Sequence, residues 1–387
     1  MTSRERVQAA LNHKEPDRIP LDFGSGHACK FTKYFYLKLL DYFGFEDEKK
    51  DLVVCQKPYQ LVYASDKVLD ALKCDVRNAR VKYLPNAVPS PYEKEWSDEI
   101  YDYYTNDLGT TYRMPKTGGL YFDNCGTALA DAEEEEDDEK FVWPTPKKVD
   151  PACRKEMEDY RAKGFYNTTC QVYANGFLQT GPLLYGYEKF FMMLMLEEER
   201  CIRMMDILYD KKIEWYNNMF EVYGGLFDCT AEADDFGVQA GLLCNKHILC
   251  DIVLPYHKRL NAYLKEKQPG LKTTLHTCGS VYDIMDDIID AGYDCLNPVQ
   301  IAAYKMEPER LKKEFGDRIT FWGGGINTQN TLPRGTVQQV RDETKRIIDA
   351  FAPGGGFVFS TVHNVQDDVP IENFMAMWET FQDNCKY

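Results

Sequence analysis

The alternation of apolar and polar positions changes character at about Phe165. After that point, short β-rich segments alternate with longer segments whose apolar residues recur at helical spacing, a pattern typical of parallel-sheet units. The predicted strands are Thr169–Tyr173, Phe227–Ala231, Lys272–His276, Cys295–Asn297, Ile319–Trp322 and Phe357–Ser360. The predicted helices between and after them are Leu196–Tyr223, Asn245–Lys267, Val281–Ala291, Glu307–Phe315 and Val337–Phe351.

The N-terminal part of the chain has a different pattern. Apolar spacing predicts an amphipathic helix with Ser3 as its N-cap and Pro16 beyond its end. A short strand over Arg18–Phe23 follows, and then a helix-rich stretch to about Arg77. From there, tyrosine, proline and glycine with alternating polarity predict a small β-rich insertion over about residues 83–143.

Counting Arg18–Phe23, the pattern predicts seven parallel strands, with an eighth expected but not located. We therefore expect an α/β protein, a (β/α)8 TIM-type barrel with an N-terminal helical extension and the β-rich insertion. No repeat, low-complexity linker or proline-rich hinge divides residues 1–387, so we expect a single domain. In such a barrel the chemistry lies at the carboxyl ends of the strands.

Composition restricts the possible partners and compartment. The chain has 387 residues, 44% of them hydrophobic, so it can bury a large core. Its formal net charge of -16 disfavours nucleic acid and anionic membrane surfaces, which bind basic patches. The thirteen cysteines are scattered, as expected for reduced thiols, and the charged Met1–Asp17 segment does not resemble a signal peptide. We expect a cytoplasmic protein that acts on a small molecule.

A histidine and a cysteine follow one of the predicted strands. In extended backbone, His276 and Cys278 project to the same side, so an imidazole and a thiolate could bind one Zn²⁺. The alternative is a core histidine beside a buried thiol. His363 follows the last predicted strand and is either a third ligand, an acid/base group or a loop histidine that is hydrogen-bonded to the backbone.

Three carboxylates follow the strand predicted to end at Ala231. Glu232, Asp234 and Asp235 would repel one another there unless a cation lies among them, so they are candidates for catalysis or substrate binding, with Asp235 preferred. Capping and solvation of a loop is the alternative. The aromatic residues near strand ends could either line an apolar substrate pocket or belong to the core; they are Tyr173, Phe177, Phe236 and Trp322.

Several motifs, spread over nearly the whole chain, together resemble the uroporphyrinogen decarboxylase superfamily. They are Arg4-Glu5-Arg6-Val7-x-x-Ala10-Leu11 with Pro16-Asp17-Arg18-Ile19-Pro20, Asp234-Asp235-x-Gly237-x-Gln239, Leu254-Pro255-Tyr256, His276-x-Cys278-Gly279, and the glycine-rich strand before His363. The decarboxylases of this superfamily use arginines after the first strand, whereas Leu21–Phe31 contains none. The resemblance therefore favours the branch that transfers methyl groups.

That branch implies a zinc ion on His276 and Cys278 and a corrinoid supplied by a separate protein. Those enzymes have a cysteine as the third zinc ligand where this chain has His363, which suggests an oxygen substrate and resembles the zinc-containing O-demethylases. We therefore expect methyl transfer from a methoxylated, aromatic compound, with catalytic roles for Asp235, Glu232 and His363 and substrate contacts from Asp234 and the four aromatic residues. Analogy with the family also allows a homodimer. The competing hypotheses are a metal-free decarboxylase or lyase that uses His363 and Asp235, and a non-catalytic barrel that binds a small ligand.

Overall fold

A curled parallel sheet forms the centre of the protein. The computed structural model describes residues 1–26, 28–84, 89–169 and 172–387, and within them seven parallel strands are hydrogen-bonded in the order β16-β15-β14-β13-β10-β9-β4. Their bounds are β4 (Val76–Asn78), β9 (Tyr166–Thr169), β10 (Cys229–Ala233), β13 (Lys272–His276), β14 (Cys295–Asn297), β15 (Thr320–Trp322) and β16 (Phe357–Val358). The remaining strands are β1 (Phe31–Thr32), β2 (Val54–Gln56), β3 (Leu61–Val62), β5 (Lys94–Ser97), β6 (Tyr101–Thr105), β7 (Thr111–Pro115), β8 (Asp123–Gly126), β11 (Gly237–Val238) and β12 (Gly241–Leu242).

The segment around Leu21 joins the two edges of this sheet. Leu21 forms a parallel bridge with Phe359, just after β16, and its carbonyl accepts a hydrogen bond from the amide of Asp75, just before β4. The sheet therefore closes into an eight-membered TIM-like barrel. The predicted strand over Arg18–Phe23 is reduced to this bridge because Pro20 has no amide proton to donate to a ladder.

The eighth strand, which the sequence pattern did not locate, is β4. It lies in the stretch predicted to be helical, and its short sequence Val-Arg-Asn has no apolar run. The strand predicted over Thr169–Tyr173 begins earlier, at Tyr166, and ends at Thr169; residues 170 and 171 lie outside the described residues. The other five predicted strands are present within two or three residues of their expected bounds.

Helices surround the barrel and cover its outer face. They are α1 (Ser3–Leu11), α2 (Lys33–Phe43), α3 (Asp66–Ala71), α4 (Glu135–Glu139), α5 (Arg154–Ala162), α6 (Thr180–Tyr185), α7 (Tyr187–Leu196), α8 (Glu198–Tyr223), α9 (Leu254–Lys267), α10 (Met285–Asp290), α11 (Pro308–Phe315), α12 (Thr331–Arg334), α13 (Val337–Phe351) and α14 (Ile371–Asn384). A π-helical turn, Ile248–Val253, precedes α9, and 3₁₀ turns occur at Glu46–Asp51, Pro151–Cys153 and Tyr282–Ile284. Across the described ranges, no helix combines the length and apolarity needed to cross a membrane.

The N-terminal helix closes the amino end of the barrel. Val7 and Leu11 of α1 pack into the barrel interior beneath Tyr166 and Trp322. The N-cap is Thr2 rather than the predicted Ser3: its side chain accepts from the Glu5 amide while the Glu5 carboxylate accepts from the Thr2 amide. The hydroxyl of Ser3 instead donates to Asp75.

A buried carboxylate attaches this extension to the barrel. Asp75 accepts hydrogen bonds from Arg6 and from both terminal nitrogens of Arg18, and also from the amide of Leu21. Its side chain is fully buried. Arg6 and Arg18 of the N-terminal motif therefore stabilise the fold, at the end of the barrel away from the strand ends where chemistry is expected.

The β-rich insertion is an antiparallel sheet. Strands β5, β6, β7 and β8 pair in sequence order, which confirms the β-rich insertion that the alternating polarity predicted. Aromatic side chains stack across it, as in the Trp96–Tyr103 and Tyr104–Tyr112 pairs. The acidic segment Glu133–Glu139 follows this sheet in sequence. It contacts α8, because Arg200 of that helix donates hydrogen bonds to the Asp138 carboxylate.

Candidate metal centre at the barrel mouth

Three side chains with metal-binding atoms converge at the carboxyl end of the barrel. His276 ends β13, Cys278 lies two residues later, and His363 follows β16; their ligand atoms all lie within 4.8 Å of one another. Cys278 Sγ is 3.6 Å from His276 Nε2, and the two imidazole ring centres are 5.8 Å apart. The structure therefore brings together the three residues that the sequence nominated as metal ligands.

The spacing of His276 and Cys278 fits a tetrahedral zinc ion. Zn–N and Zn–S bonds of about 2.0–2.1 Å and 2.3 Å at a tetrahedral angle separate the two ligand atoms by about 3.6 Å. The observed separation between Cys278 Sγ and His276 Nε2 has this value. Two imidazoles and one thiolate also form a nitrogen and sulfur donor set of the kind that zinc prefers, with a fourth position left for a substrate.

A tight turn presents Cys278 to the cluster. Gly279 has a φ of +79°, and a Cβ there would lie 2.2 Å from the backbone carbon of Gly237. A Cβ on Gly237 would in turn lie 2.8 Å from the Cys278 carbonyl oxygen. Asp235 Oδ1 accepts a hydrogen bond of 2.7 Å from the Cys278 amide. These two glycines let the β11–β12 hairpin pack directly on the turn, and Asp235 fixes it.

Gly279→Ala should therefore disturb the metal centre. The added methyl group meets backbone atoms and is placed on a residue with positive φ, so we expect a cost of about 1–3 kcal/mol and a displaced Cys278. Gly270→Ala is the matched control, since its φ is +87° but nothing lies within 4 Å of the added carbon. In unfolding experiments Gly279→Ala should lose more stability than Gly270→Ala, and in zinc titrations only Gly279→Ala should bind the metal more weakly. Equal effects in the two variants would refute this account of the turn.

The protein around the cluster shifts the pKa values of Cys278 and His363. Burial raises the pKa of the Cys278 thiol well above its usual range, and the neighbouring Asp235 carboxylate raises it further. Burial, together with His276, lowers the pKa of His363 to about 4, so its imidazole is neutral at neutral pH. A neutral imidazole is the form that binds a metal, and a metal ion would reverse the penalty on the thiolate.

The three carboxylates at the carboxyl end of β10 face in different directions. Side chains alternate along a strand, and Ala231 lines the barrel interior, so Glu232 points outward. Its oxygens accept hydrogen bonds of 2.7 Å from Lys212 and Tyr216 of α8, and it is buried there. The structure does not bring Glu232 to the cluster, and its place between strand and helix is that of a stabilising ion pair.

Asp234 is also directed away from the mouth. Its carboxylate accepts hydrogen bonds from the amides of Leu178 and Gln179 and lies 3.0 Å from His257 Nε2. The side chain is fully buried, so it has no surface for a substrate. Asp235 is the one of these three that reaches the metal centre.

Most of the aromatic residues nominated for substrate contact belong to the core. Phe177 and Phe236 are fully buried and pack on the ring of His257, outside the barrel wall. The Tyr173 hydroxyl donates to the Pro144 carbonyl in the same outer layer. Trp322 does lie inside the barrel, where its indole nitrogen donates to Asp22 Oδ2 at 3.0 Å.

A small cavity lies in the barrel interior below the candidate metal centre. It has a volume of about 20 Å³, enough for a single water molecule. Thr274 lines it two residues before His276 on the same face of β13, together with Asn297 and Trp322. The cavity is too small to hold an organic molecule.

Sequence reasoning missed two tyrosines near the mouth. Tyr59 and Tyr187 are each 61% exposed, and their pKa values are raised by the surrounding protein and by the negative charge of nearby Asp235. Tyr59 lies in the loop between β2 and β3 and Tyr187 begins α7, so both are far in sequence from the ends of the barrel strands. No local motif marked them, because only the folded chain brings these elements to the mouth.

Comparison with known proteins yields partial matches to proteins named as methyltransferases and as decarboxylases. A stretch of 109 residues is 32% identical to the methylcobamide:CoM methyltransferase MtaA of Methanosarcina barkeri, covering 27% of this chain and 29% of that protein. A stretch of 125 residues is 28% identical to a uroporphyrinogen decarboxylase of Psychromonas ingrahamii, covering 32% of this chain and 33% of that protein. The matches thus span about a third of these curated relatives.

The fold and the family model agree on a wider relationship. A methyltransferase from Methanosarcina mazei superposes with a TM-score of 0.62 over 99% of both chains at 17% sequence identity, which demonstrates the same fold. The family model described as Uroporphyrinogen decarboxylase (URO-D) matches residues 170–383, more than half of the chain and the part that holds His276, Cys278 and His363. This chain belongs to the uroporphyrinogen decarboxylase family.

Proposed function

We propose that this chain is a zinc-dependent methyltransferase that moves a methyl group from a methoxylated aromatic compound to the Co(I) corrinoid of a separate protein. The observation that carries the proposal is the convergence of His276, Cys278 and His363 at the barrel mouth. The methyltransferase names of the Methanosarcina barkeri relative and of the structural neighbour support the reaction class.

The ligand set favours an ether oxygen as the substrate atom. His276, Cys278 and His363 would hold the zinc ion, which supplies Lewis acidity to an oxygen in its open position when bound. One thiolate donates less negative charge than two, so the ion stays a harder acid that suits oxygen better than sulfur. His363 is therefore the residue that sets the choice between ether and thiol.

The residues around the metal centre bind the substrate and manage its proton. The transfer breaks the bond between oxygen and methyl, the Co(I) electron pair forms the bond to carbon, and the departing oxygen keeps its electrons and takes up one proton. Asp235, held on the Cys278 amide, is the carboxyl group positioned to pass that proton from solvent. Tyr59 and Tyr187 would contact the aromatic ring at the mouth.

The corrinoid has to come from a partner. The Asp-x-His-x-x-Gly sequence typical of corrinoid-carrying domains is absent, since Thr274 stands where the aspartate before His276-x-x-Gly279 would be. The cavity that the described residues form beneath the cluster has a volume of about 20 Å³, too small for a macrocycle. The partner would therefore approach the open mouth, where Tyr59 and Tyr187 are exposed.

The second candidate is a metal-free decarboxylase, which the name of one relative favours. A porphyrinogen carries several carboxylates that need cationic partners. Leu21–Phe31 contains no arginine, and its one lysine, Lys30, is buried and donates to the Gly26 carbonyl. The candidate therefore rests on His363 and Asp235 as acid and base, with no arginine in Leu21–Phe31 to bind the carboxylates of the substrate.

A direct assay separates these functions. Zinc-loaded protein is mixed with free cob(I)alamin and a panel of methoxylated benzoates, and the visible spectrum is followed for conversion to methylcob(III)alamin. We expect conversion with at least one aryl methyl ether and release of the corresponding phenol. Transfer from methylcob(III)alamin to a thiol would overturn the ether substrate while retaining methyl transfer. No methyl transfer in either direction, with carbon dioxide released from porphyrinogen, would overturn the proposal.

A further inference from the structure

A buried amide lies directly behind the first metal ligand. Asn297 ends β14 and pairs in register with His276 at the end of β13, so the two side chains lie at the same level of the barrel. Asn297 is fully buried, and its Oδ1 lies 2.7 Å from His276 Nδ1. No local motif identified Asn297, which has this neighbour only because adjacent parallel strands align.

The opposite side of the amide determines which way it faces. Asn297 Nδ2 is 2.8 Å from the backbone carbonyl of Trp322. A carbonyl can only accept a hydrogen bond, so the NH₂ group must face Trp322 and the amide oxygen must face His276. That carbonyl belongs to β15, whose backbone is held in the barrel sheet. The orientation of Asn297 is thus set independently of the metal centre.

The amide orientation in turn fixes the histidine. An oxygen acceptor requires His276 Nδ1 to carry the proton, which leaves the lone pair on Nε2. Nε2 is the atom 3.6 Å from Cys278 Sγ and is the ligand atom of the candidate site. The amide oxygen of Asn297 therefore stabilises the tautomer and ring orientation that leave Nε2 available to a metal ion.

We propose that Asn297 is a positioning residue that holds His276 in the tautomer and orientation required of a zinc ligand. The inference rests on the proposed metal function of the cluster. Groups that orient a metal-binding histidine typically affect metal affinity by about 10–100-fold when removed. We expect Asn297→Leu to weaken zinc binding by that factor, although Asn297 does not itself contact the metal or the substrate.

Two variants distinguish positioning from general stability. Asn297→Asp keeps an oxygen acceptor facing His276 but loses the donor to Trp322, whereas Asn297→Leu loses both. Zinc affinity is measured by competition with a chromophoric chelator. We expect Asn297→Asp to change affinity by less than about 10-fold and Asn297→Leu by about 10–100-fold. Equal losses in both variants would indicate a structural role through Trp322 and would overturn the inference, as would unchanged affinity in Asn297→Leu.

A control variant and an NMR measurement distinguish an effect on His276 from a general effect on the fold. Asn261→Leu removes another buried asparagine that donates to a backbone carbonyl, that of Ala291, away from the metal centre, so zinc affinity should be unchanged. Proton and nitrogen NMR of histidine-labelled, metal-free protein reports the tautomer directly. His276 should carry its proton on Nδ1 in the wild type and in Asn297→Asp, and should lose that preference in Asn297→Leu.

The tautomer measurement also keeps the inference separate from the proposed function. If the wild type binds no zinc but His276 shows the Asn297-dependent tautomer, the metal function fails while the positioning contact stands. If the wild type binds zinc and the tautomer does not respond to Asn297, the inference fails alone.

Discussion

Cys278→Ala should lose its zinc and its methyl-transfer activity together. Zinc sites with four ligands bind with about 10–16 kcal/mol, so each ligand contributes roughly 3–4 kcal/mol, or about 10²–10³-fold in affinity. In this cluster the loss should be at the upper end, because Cys278 supplies the single thiolate that opposes the charge of the ion. Metal analysis after dialysis and the cob(I)alamin assay measure the two quantities in the same preparation.

Cys244→Ala provides the matched control for this variant. Cys244 is also half-buried and unpaired, but it lies at the exit of the β11–β12 hairpin, outside the cluster. It should keep both zinc and activity. Full activity in metal-free Cys278→Ala protein would contradict the proposed role of the zinc ion.

Asp75→Asn should cause the largest loss of stability predicted for this protein. The substitution keeps the size of the side chain but removes the charge that Arg6, Arg18 and the Leu21 amide share at the amino end of the barrel. Removing one partner of a buried ion pair costs about 3–5 kcal/mol, because the remaining charges stay desolvated. The free energy of unfolding in urea should fall by that amount.

A surface ion pair supplies the comparison for Asp75. Asp286→Asn breaks the pair with Arg318, where the carboxylate side chain is 69% exposed, so the free energy of unfolding should change by less than about 1 kcal/mol. A loss in Asp75→Asn no greater than this would mean that the N-terminal motif does not hold the barrel closed. Zinc binding by folded Asp75→Asn protein should be unaffected.

The barrel strands were predictable where a short β-rich segment stands between longer stretches with helical spacing. Five of the predicted strands lie within a few residues of the observed ones for this reason. The segment at Leu21 contributes a single bridge, since Pro20 lacks an amide proton. Val76–Asn78 has a charged residue at its centre, Arg77, whose burial beside Asp70 depends on tertiary structure.

The candidate site shows the same division between local and long-range information. His276 and Cys278 were predictable because two residues of one extended segment necessarily share a face. The same alternation separates Asp235 from Glu232 and Asp234, once Ala231 is known to face inward. Placing His363 beside this pair, by contrast, depends on the closure of the barrel.

The residues that surround the three proposed metal ligands could not be predicted from the sequence. Asn297 lies behind His276 through the register of β13 and β14, which no spacing along the chain encodes. Tyr59 and Tyr187 come from a loop and a helix that lie far from each other in sequence. The core aromatics Phe177 and Phe236 were nominated because they follow strand ends, but the chain there turns outward and buries them against His257.

The most direct test of the account is the metal content of wild-type protein purified without added zinc, measured by mass spectrometry beside His276→Ala and His363→Ala. We predict about one zinc per wild-type chain and a strong loss in both variants, because all three ligand atoms belong to one tetrahedral site. Wild-type protein that contains no zinc, and takes none up from a buffered zinc solution, would contradict the central claim.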